Sequence, residues 1–518
     1  MKALRSAFVG LLVVSSWGCS LLFEAKDPDS SKECSSEERW LQFASFGDGT
    51  DTIADFVVHK NCDVTVCGSY SGTLQIGTEE VLDLTGGNSD TFVATFSPSG
   101  EVVWATTMNS DNAIRCRRLA LTDTTEQLYV YGEMEGSATS LLPPYQDEPY
   151  AIDFINPNIG TDLFLTKYDT MDALGRPPIW TRLIRGNTTA QALDMAILGD
   201  GVAIGGLLPQ IDGETTTALN GGKVEPLTFA GSDGDALLAK IDADGEIRFA
   251  HRGGSNSASA PARVLGVAID AVGSTIVAVG ETSHRNIFSG CANAEDSAKS
   301  QAFIAGLDAE TGACLWSHSV KAIGELTQGL RYTDVVTSDD AIYVSGETLN
   351  DFGELSFDEI IPRNTSGFGG RDALLVEYAS NGAPRRMRVL GGPGSDRFLG
   401  IALSNEAEPV AIGTFESGAY VSRAADGITD ESIELAIDES ADAVFATYEG
   451  AESESPLSYR EATQLSGDAS ISISRVRIVN GGTFVAGRYS GSLAVGGQEV
   501  LPPARGSDGF LWWRPNAQ

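Results

Sequence analysis

The stretch Val64-Thr65-Val66-Cys67-Gly68-Ser69-Tyr70-Ser71-Gly72-Thr73-Leu74, followed by Asp90-Thr91-Phe92-Val93-Ala94, decides how this chain is read. Its first half is a hydrophobic-x-hydrophobic-Gly run; its second is a polar residue opening an apolar strand. The run ending in glycine returns at Tyr129–Gly132, Ala203–Gly206, Val277–Gly280, Tyr343–Gly346, Val410–Gly413 and Phe484–Gly487. The polar-then-apolar strand returns at Asp162, Asp235, Gln301, Asp372, Asp442 and Asp508. Successive glycines stand 64, 74, 74, 66, 67 and 74 residues apart. Two markers repeating in phase define a repeat, and units of this size cannot bury their apolar faces without stacking on neighbours.

Within the first unit, short alternating runs are separated by turn residues. Trp40–Ser45 reads as a strand, as do Ile53–Val58, Val64–Val66 and Phe92–Phe96. Ser97-Pro98-Ser99-Gly100 makes a hairpin into Val102–Ala105. This is the pattern of an antiparallel meander. The hairpin recurs as Asp242-Ala243-Asp244-Gly245, Asp308–Gly312 and Ala379–Gly382. The large residue after it recurs as Trp104, Trp180, Phe249, Trp316, Met387 and Tyr459, with Trp40 as the seventh. Bulk at equivalent places points to packing between units.

Seven four-stranded units predict an all-β, seven-bladed β-propeller. The last unit stops after Asp508–Trp513 without the strand that should follow, whereas the chain begins with such a strand at Trp40. Docking it on the last blade would close the ring and remove open edges. A β-solenoid is the competing fold, but its coils are much shorter than these repeats.

The unit resembles the SBBP-type (seven-bladed beta-propeller) repeat of bacterial exported proteins, on residues 64–74 and 86–94 and again on Val485–Leu493 and Gly506–Phe510. Gln301 departs from the usual acidic residue, and the third and sixth units lack the Tyr-Ser-Gly signature. The resemblance implies an exported structural or binding scaffold and no defined catalytic set.

The N-terminus also points to export. Lys2 and Arg5 precede the apolar run Ala7–Val14, and Ser15-Ser16-Trp17-Gly18-Cys19 follows. This is the layout of a signal peptide, too short for a stable span. It resembles the bacterial lipoprotein signal, which implies lipidation of Cys19 and places the protein in the bacterial cell envelope, at the outer membrane or cell surface. Ser16 and Trp17 depart from that pattern, and plain secretion is the alternative. The expected organisation is a signal over 1–19, a flexible tether over 20–38 and the propeller over 39–514.

Export makes the remaining six cysteines disulfide candidates. Cys291 and Cys314 are expected to pair. Cys34, Cys62, Cys67 and Cys116 are expected to form two further bridges near the start.

The net charge is −36, from 71 acidic and 35 basic side chains. That excludes the basic surplus nucleic acid requires. It suits either a self-repelling soluble surface or a face that gathers cations or a basic partner. Candidate Ca²⁺ ligands are Asp48 and Asp51 around one turn and Asp242 and Asp244 around another. Neither segment matches a twelve-residue calcium loop, and turn formation explains both. The recurrent aspartates before the third strands are read as acceptors for nearby backbone N–H groups.

The stretches Gly136–Gly160, Ser283–Ser300, Asn350–Gly370 and Ser417–Ser440 read as insertions, able to carry ligand contacts or simply to tolerate length. His59, His251, His284 and His318 share no metal-ligand spacing, and no nucleophile elbow, phosphate loop or His-Glu-x-x-His segment occurs. The expected function is a surface-anchored, non-catalytic, monomeric scaffold for an envelope or extracellular protein or glycan, with no obligatory cofactor. The alternative is an extracellular polysaccharide hydrolase or lyase working through loop carboxylates.

Overall fold

The computed structural model describes residues 43–515, apart from short breaks and the longer stretches 83–88, 143–159, 170–177, 209–216, 254–266, 293–300, 324–329, 349–353, 358–369, 425–429, 434–441 and 449–458. The signal, the tether, Cys19, Cys34, Trp40 and Asp48 lie outside the described residues.

No helix occurs among the described residues; the chain folds as seven antiparallel blades. Blade 1 comprises Thr52–Val58, Val64–Tyr70, Asp90–Phe96 and Val102–Ser110, from the inner strand to the outer. The other inner strands are Ala113–Leu121, Gln191–Leu198, Val267–Val272, Leu330–Thr337, Arg397–Leu403 and Ser470–Val479. Each inner strand touches the next, and the seventh touches the first.

Burial follows the ring. The core is divided into seven clusters, one at each junction between neighbouring blades. Successive residues of one strand therefore serve different junctions. Val130 packs toward blade 1, while Tyr129 and Tyr131 pack toward blade 3. Both faces of each sheet are buried, which is why the marker strands read as nearly continuous apolar runs.

The ring closes through the N-terminal strand: Phe43 pairs with Leu511 and Ala44 with Phe510. Directly afterwards Phe46 and Gly47 pair with Gln75 and Leu74 of blade 1. This handover to the next blade recurs around the molecule. Ala138–Leu142, from the second blade's excursion, pairs with the outer strand of blade 1. Thr217–Asn220, Glu354–Phe357, Tyr420–Ala424 and Leu493–Val495 do the same for blades 2, 4, 5 and 6.

The insertion reading is thus corrected. In their described parts Gly136–Gly160, Asn350–Gly370 and Ser417–Ser440 hold clasps that cover the preceding blade's outer edge, where an unpaired strand would invite aggregation. Asp430 and Glu431, two of the loop acids, lie in the second strand of the blade 5–6 clasp.

At the blade 3–4 junction the clasp differs. Asn286–Phe288 and Cys291–Ala292 form a separate two-stranded sheet. The Cys291–Cys314 disulfide ties that hairpin to the outer strand of its own blade, with Cα atoms 5.5 Å apart. Cys67–Cys116 joins the second strand of blade 1 to the inner strand of blade 2, across 6.1 Å. Cys62 is disulfide-bonded as well.

Candidate functional site: the central channel

The repeated glycine lies within a strand and not at a turn. In six blades it stands opposite an irregularity of the inner strand, at Ile53/Asp55, Ala192/Asp194, Tyr332/Asp334, Phe398/Gly400 and Ile473/Arg475, and opposite Cys116 to Arg118 in blade 2. A Cβ on Gly68, Gly132, Gly346, Gly413 or Gly487 would overlap a carbonyl oxygen of the inner strand: that of Thr52, Arg115, Arg331, Arg397 or Ser472 respectively. Only glycine admits so close an approach. The bulge re-aims the residue that follows it, and the residues so placed are Asp55, Arg118, Asp194, Asp334, Gly400 and Arg475.

These side chains meet across the axis. Arg475 Nη1 lies 3.4 Å from Asp334 Oδ1 and 3.6 Å from Asp194 Oδ1, and its Nε lies 3.8 Å from Asp55 Oδ1. One guanidinium from blade 7 therefore faces carboxylates from blades 1, 3 and 5. Arg118 Nε donates to Asp194 Oδ1 at 2.7 Å. Arg477 Nη2 reaches both oxygens of Asp55 at 3.3 Å and the Leu119 carbonyl at 3.1 Å.

The acids also stitch the blades together through backbone amides. Asp55 accepts from Phe56 N in its own strand and from Leu119 N of blade 2, at 2.8 and 2.9 Å. Asp334 accepts from Val335 N at 3.0 Å and from Ile401 N of blade 6 at 3.1 Å.

Burial raises the Asp334 pKa, and Arg475 opposes that shift. For Arg475 burial works against the charge, but Asp334, Asp194 and Asp55 outweigh it and raise the guanidinium pKa. At Arg477 burial prevails over Asp55 and the pKa falls.

Above this buried plug a funnel of about 470 Å³ opens at the ends of the inner strands. All seven blades line it, through residues such as Val57, Ala120, Met195, Asp270, Val336 and Ile401, with Arg475 and Arg477 at its floor. Lys60, Asp123 and Glu126 also contribute to the lining, which among the described residues contains no aromatic side chain. Asp270 accepts from Thr337 N at 2.7 Å and from its hydroxyl at 3.1 Å.

The sequence candidates are scattered relative to this channel. Asp242 shapes its hairpin: Oδ1 accepts from Asp244 N at 3.0 Å and Glu246 N at 2.8 Å, and Oδ2 meets Arg248 at 2.6 Å. The hairpin carbonyls are engaged by blade 2. Ala243 O accepts from Lys167 and Trp180, both at 2.9 Å, while Arg182 donates to Asp244 O at 2.8 Å and Gly245 O at 2.7 Å. Asp51 is fully buried at the blade 7–1 junction. Among the described residues, no three or more His, Cys, Asp or Glu are grouped to hold a metal.

Of the recurrent aspartates, Asp90, Asp162, Asp372 and Asp508 are buried. Asp90 accepts a long bond from Ser110 N at 3.4 Å. His59 bonds Thr65 at 2.6 Å within blade 1, and burial lowers its pKa. His251 and His318 lie beside Phe249 and Trp316, with ring centroids 5.4 and 6.1 Å away.

The recurrent bulky residues pack between blades. Trp104 meets Tyr168 of blade 2 edge-on at 5.6 Å. Phe249 and Trp316 lie against Gly312 and Gly382, the positive-φ glycines of the next blade's hairpin.

No protein-family model and no curated protein sequence matches the chain. Among solved structures it is similar to the quinohemoprotein alcohol dehydrogenase of Comamonas testosteroni, at 12% identity over 91% of this chain and 76% of that one, with a TM-score of 0.37. Two structures of the plexin A4 extracellular region match at 8% identity over 92% of this chain, each with a TM-score of 0.31. The chain spans 44% and 37% of those plexin chains. Likeness at this level carries no functional argument.

Proposed function

We propose that this propeller is a non-catalytic binding scaffold of the bacterial cell envelope, tethered through lipidated Cys19, and that its funnel receives a protruding segment of a protein partner. One observation carries the reading: every blade contributes to the funnel, whose lining mixes aliphatic side chains with Lys60, Asp123, Glu126 and Asp270 above a floor whose charges already have partners. Such a cavity suits a shape-matched segment that brings both apolar and polar contacts. A glycan subsite would call for an aromatic platform, which the lining lacks. A hydrolase would need two available carboxylates flanking the scissile bond, whereas Asp55 and Asp334 are tied to arginines and backbone amides.

The test is a binding screen of the mature protein against envelope proteins and glycans, repeated with Val336→Lys. A captured protein that is lost on that substitution supports the reading. Glycan capture, or protein capture indifferent to Val336→Lys, contradicts it. The anchor is checked separately by incorporation of labelled palmitate, which should vanish in Cys19→Ser.

A further inference from the structure

The closing junction carries a buried carboxyl group that no donor among the described residues satisfies. Thr50 bridges Ser507 in parallel, and Asp51 N donates to Ser507 O at 2.8 Å, which sets Asp51 beside Asp508. Both residues are fully buried. Among the described residues neither oxygen of Asp51 has a hydrogen-bond partner.

Asp396 occupies the equivalent place at the blade 5–6 junction, two residues before the one that faces the repeat glycine. There the local chain provides donors, Gly392 N reaching Oδ2 at 2.8 Å and Glu416 N reaching Oδ1 at 3.1 Å, although burial still pushes that carboxyl up to about 7. A buried carboxylate without donors is costly, and a second carboxylate alongside increases that cost. A proton removes both penalties and needs no extra space.

We propose that Asp51 carries a proton in the closed ring, beside Asp508, and that this proton latches the ring, so that the blade 7–1 junction loosens as the solution becomes alkaline. Burial first, and then Asp508, push the Asp51 carboxyl up to about 7. The Ser71 backbone favours the charged form without reaching hydrogen-bond geometry.

The other titratable groups facing the pair are acidic or phenolic. From blade 1 come Asp90 and Tyr70, whose buried hydroxyl has no partner; from blade 7 comes Tyr489. Asp48 and Arg505 lie nearby in sequence, outside the described residues. One proton is taken from solvent per latch. Between the ordinary carboxyl value of 3.8 and about 7 the folded chain holds this proton and the unfolded chain does not. The contribution to stability is therefore complete at low pH, declines as pH rises through that window and is lost above about 7.

The test compares the full chain with Asp51→Asn, and with Asp396→Asn as the control junction, by hydrogen exchange of the segment 508–515 between about pH 5 and about pH 8.5, corrected for intrinsic rates. Wild type and Asp396→Asn should lose roughly a hundredfold in protection there as pH rises, and Asp51→Asn under about twofold. A protonated-carboxyl infrared band present near neutrality should disappear in Asp51→Asn. If that variant fails to fold, Asp508→Asn interrogates the same proton from the other side. An unchanged pH response in the variant would overturn the proposal. So would protection by added Ca²⁺ that depends on Asp51, since a cation would then be the neutralising partner.

Discussion

At the inner rim Arg475 meets Asp55, Asp194 and Asp334 from three different blades, whereas at the outer rim Trp316 packs within its own blade and against one neighbour, where it lies over Gly382. The inner contacts are charged, buried and shared across the axis. The outer ones are pairwise and depend on shape. A buried ion cluster adds little net stability over apolar packing but is costly to break, so it acts mainly on arrangement. The ring–glycine contacts, at the blade 3–4 and 4–5 junctions, each stabilise one junction by packing alone.

The largest effect separating the rims should follow Arg475→Met, which leaves buried Asp334 without its guanidinium and Asp194 and Asp55 with one arginine each. Urea unfolding should show a loss of about 3–5 kcal/mol, smaller near pH 4 than at pH 7 because protonation relieves the stranded acid. Trp316→Ala removes a half-buried ring from one junction and should cost roughly 2 kcal/mol, with little dependence on pH. Asp242→Ala deletes the acceptor for two hairpin amides at the outer rim, and a cost of about 1 kcal/mol is expected from the same melts. Equal pH dependence in Arg475→Met and Trp316→Ala would erase the distinction.

The sequence displays the outer rim more openly than the inner. Aromatic bulk and hairpin glycines recur at visible spacing, and the phase of the two chain ends foretells the pairing of Phe43 with Leu511. The clasps are hard to see because three- to five-residue strands such as Leu74–Ile76 and Ala138–Leu142 sit inside polar, glycine-rich excursions. The channel is harder still. Its bulge position holds Asp, Arg or Gly in different blades, so the repeat does not mark it. Asp334 and Arg475 stand 141 residues apart, and only closure of the ring brings them together. The glycine marks the site in the sequence, but its purpose becomes apparent only once the facing carbonyl is known.

That glycine is also the most direct point of attack. Gly413 faces the Arg397 carbonyl at a bulge, whereas Gly72 has a positive φ of 79° but open space where a Cβ would go. Urea melts of Gly413→Ala and Gly72→Ala in parallel should show the first losing at least about 3 kcal/mol, from collision with backbone, and the second about 1 kcal/mol, from conformational strain alone. Equal losses, or a milder effect at Gly413, would contradict the claim that the repeated glycine makes room for the bulge that builds the channel.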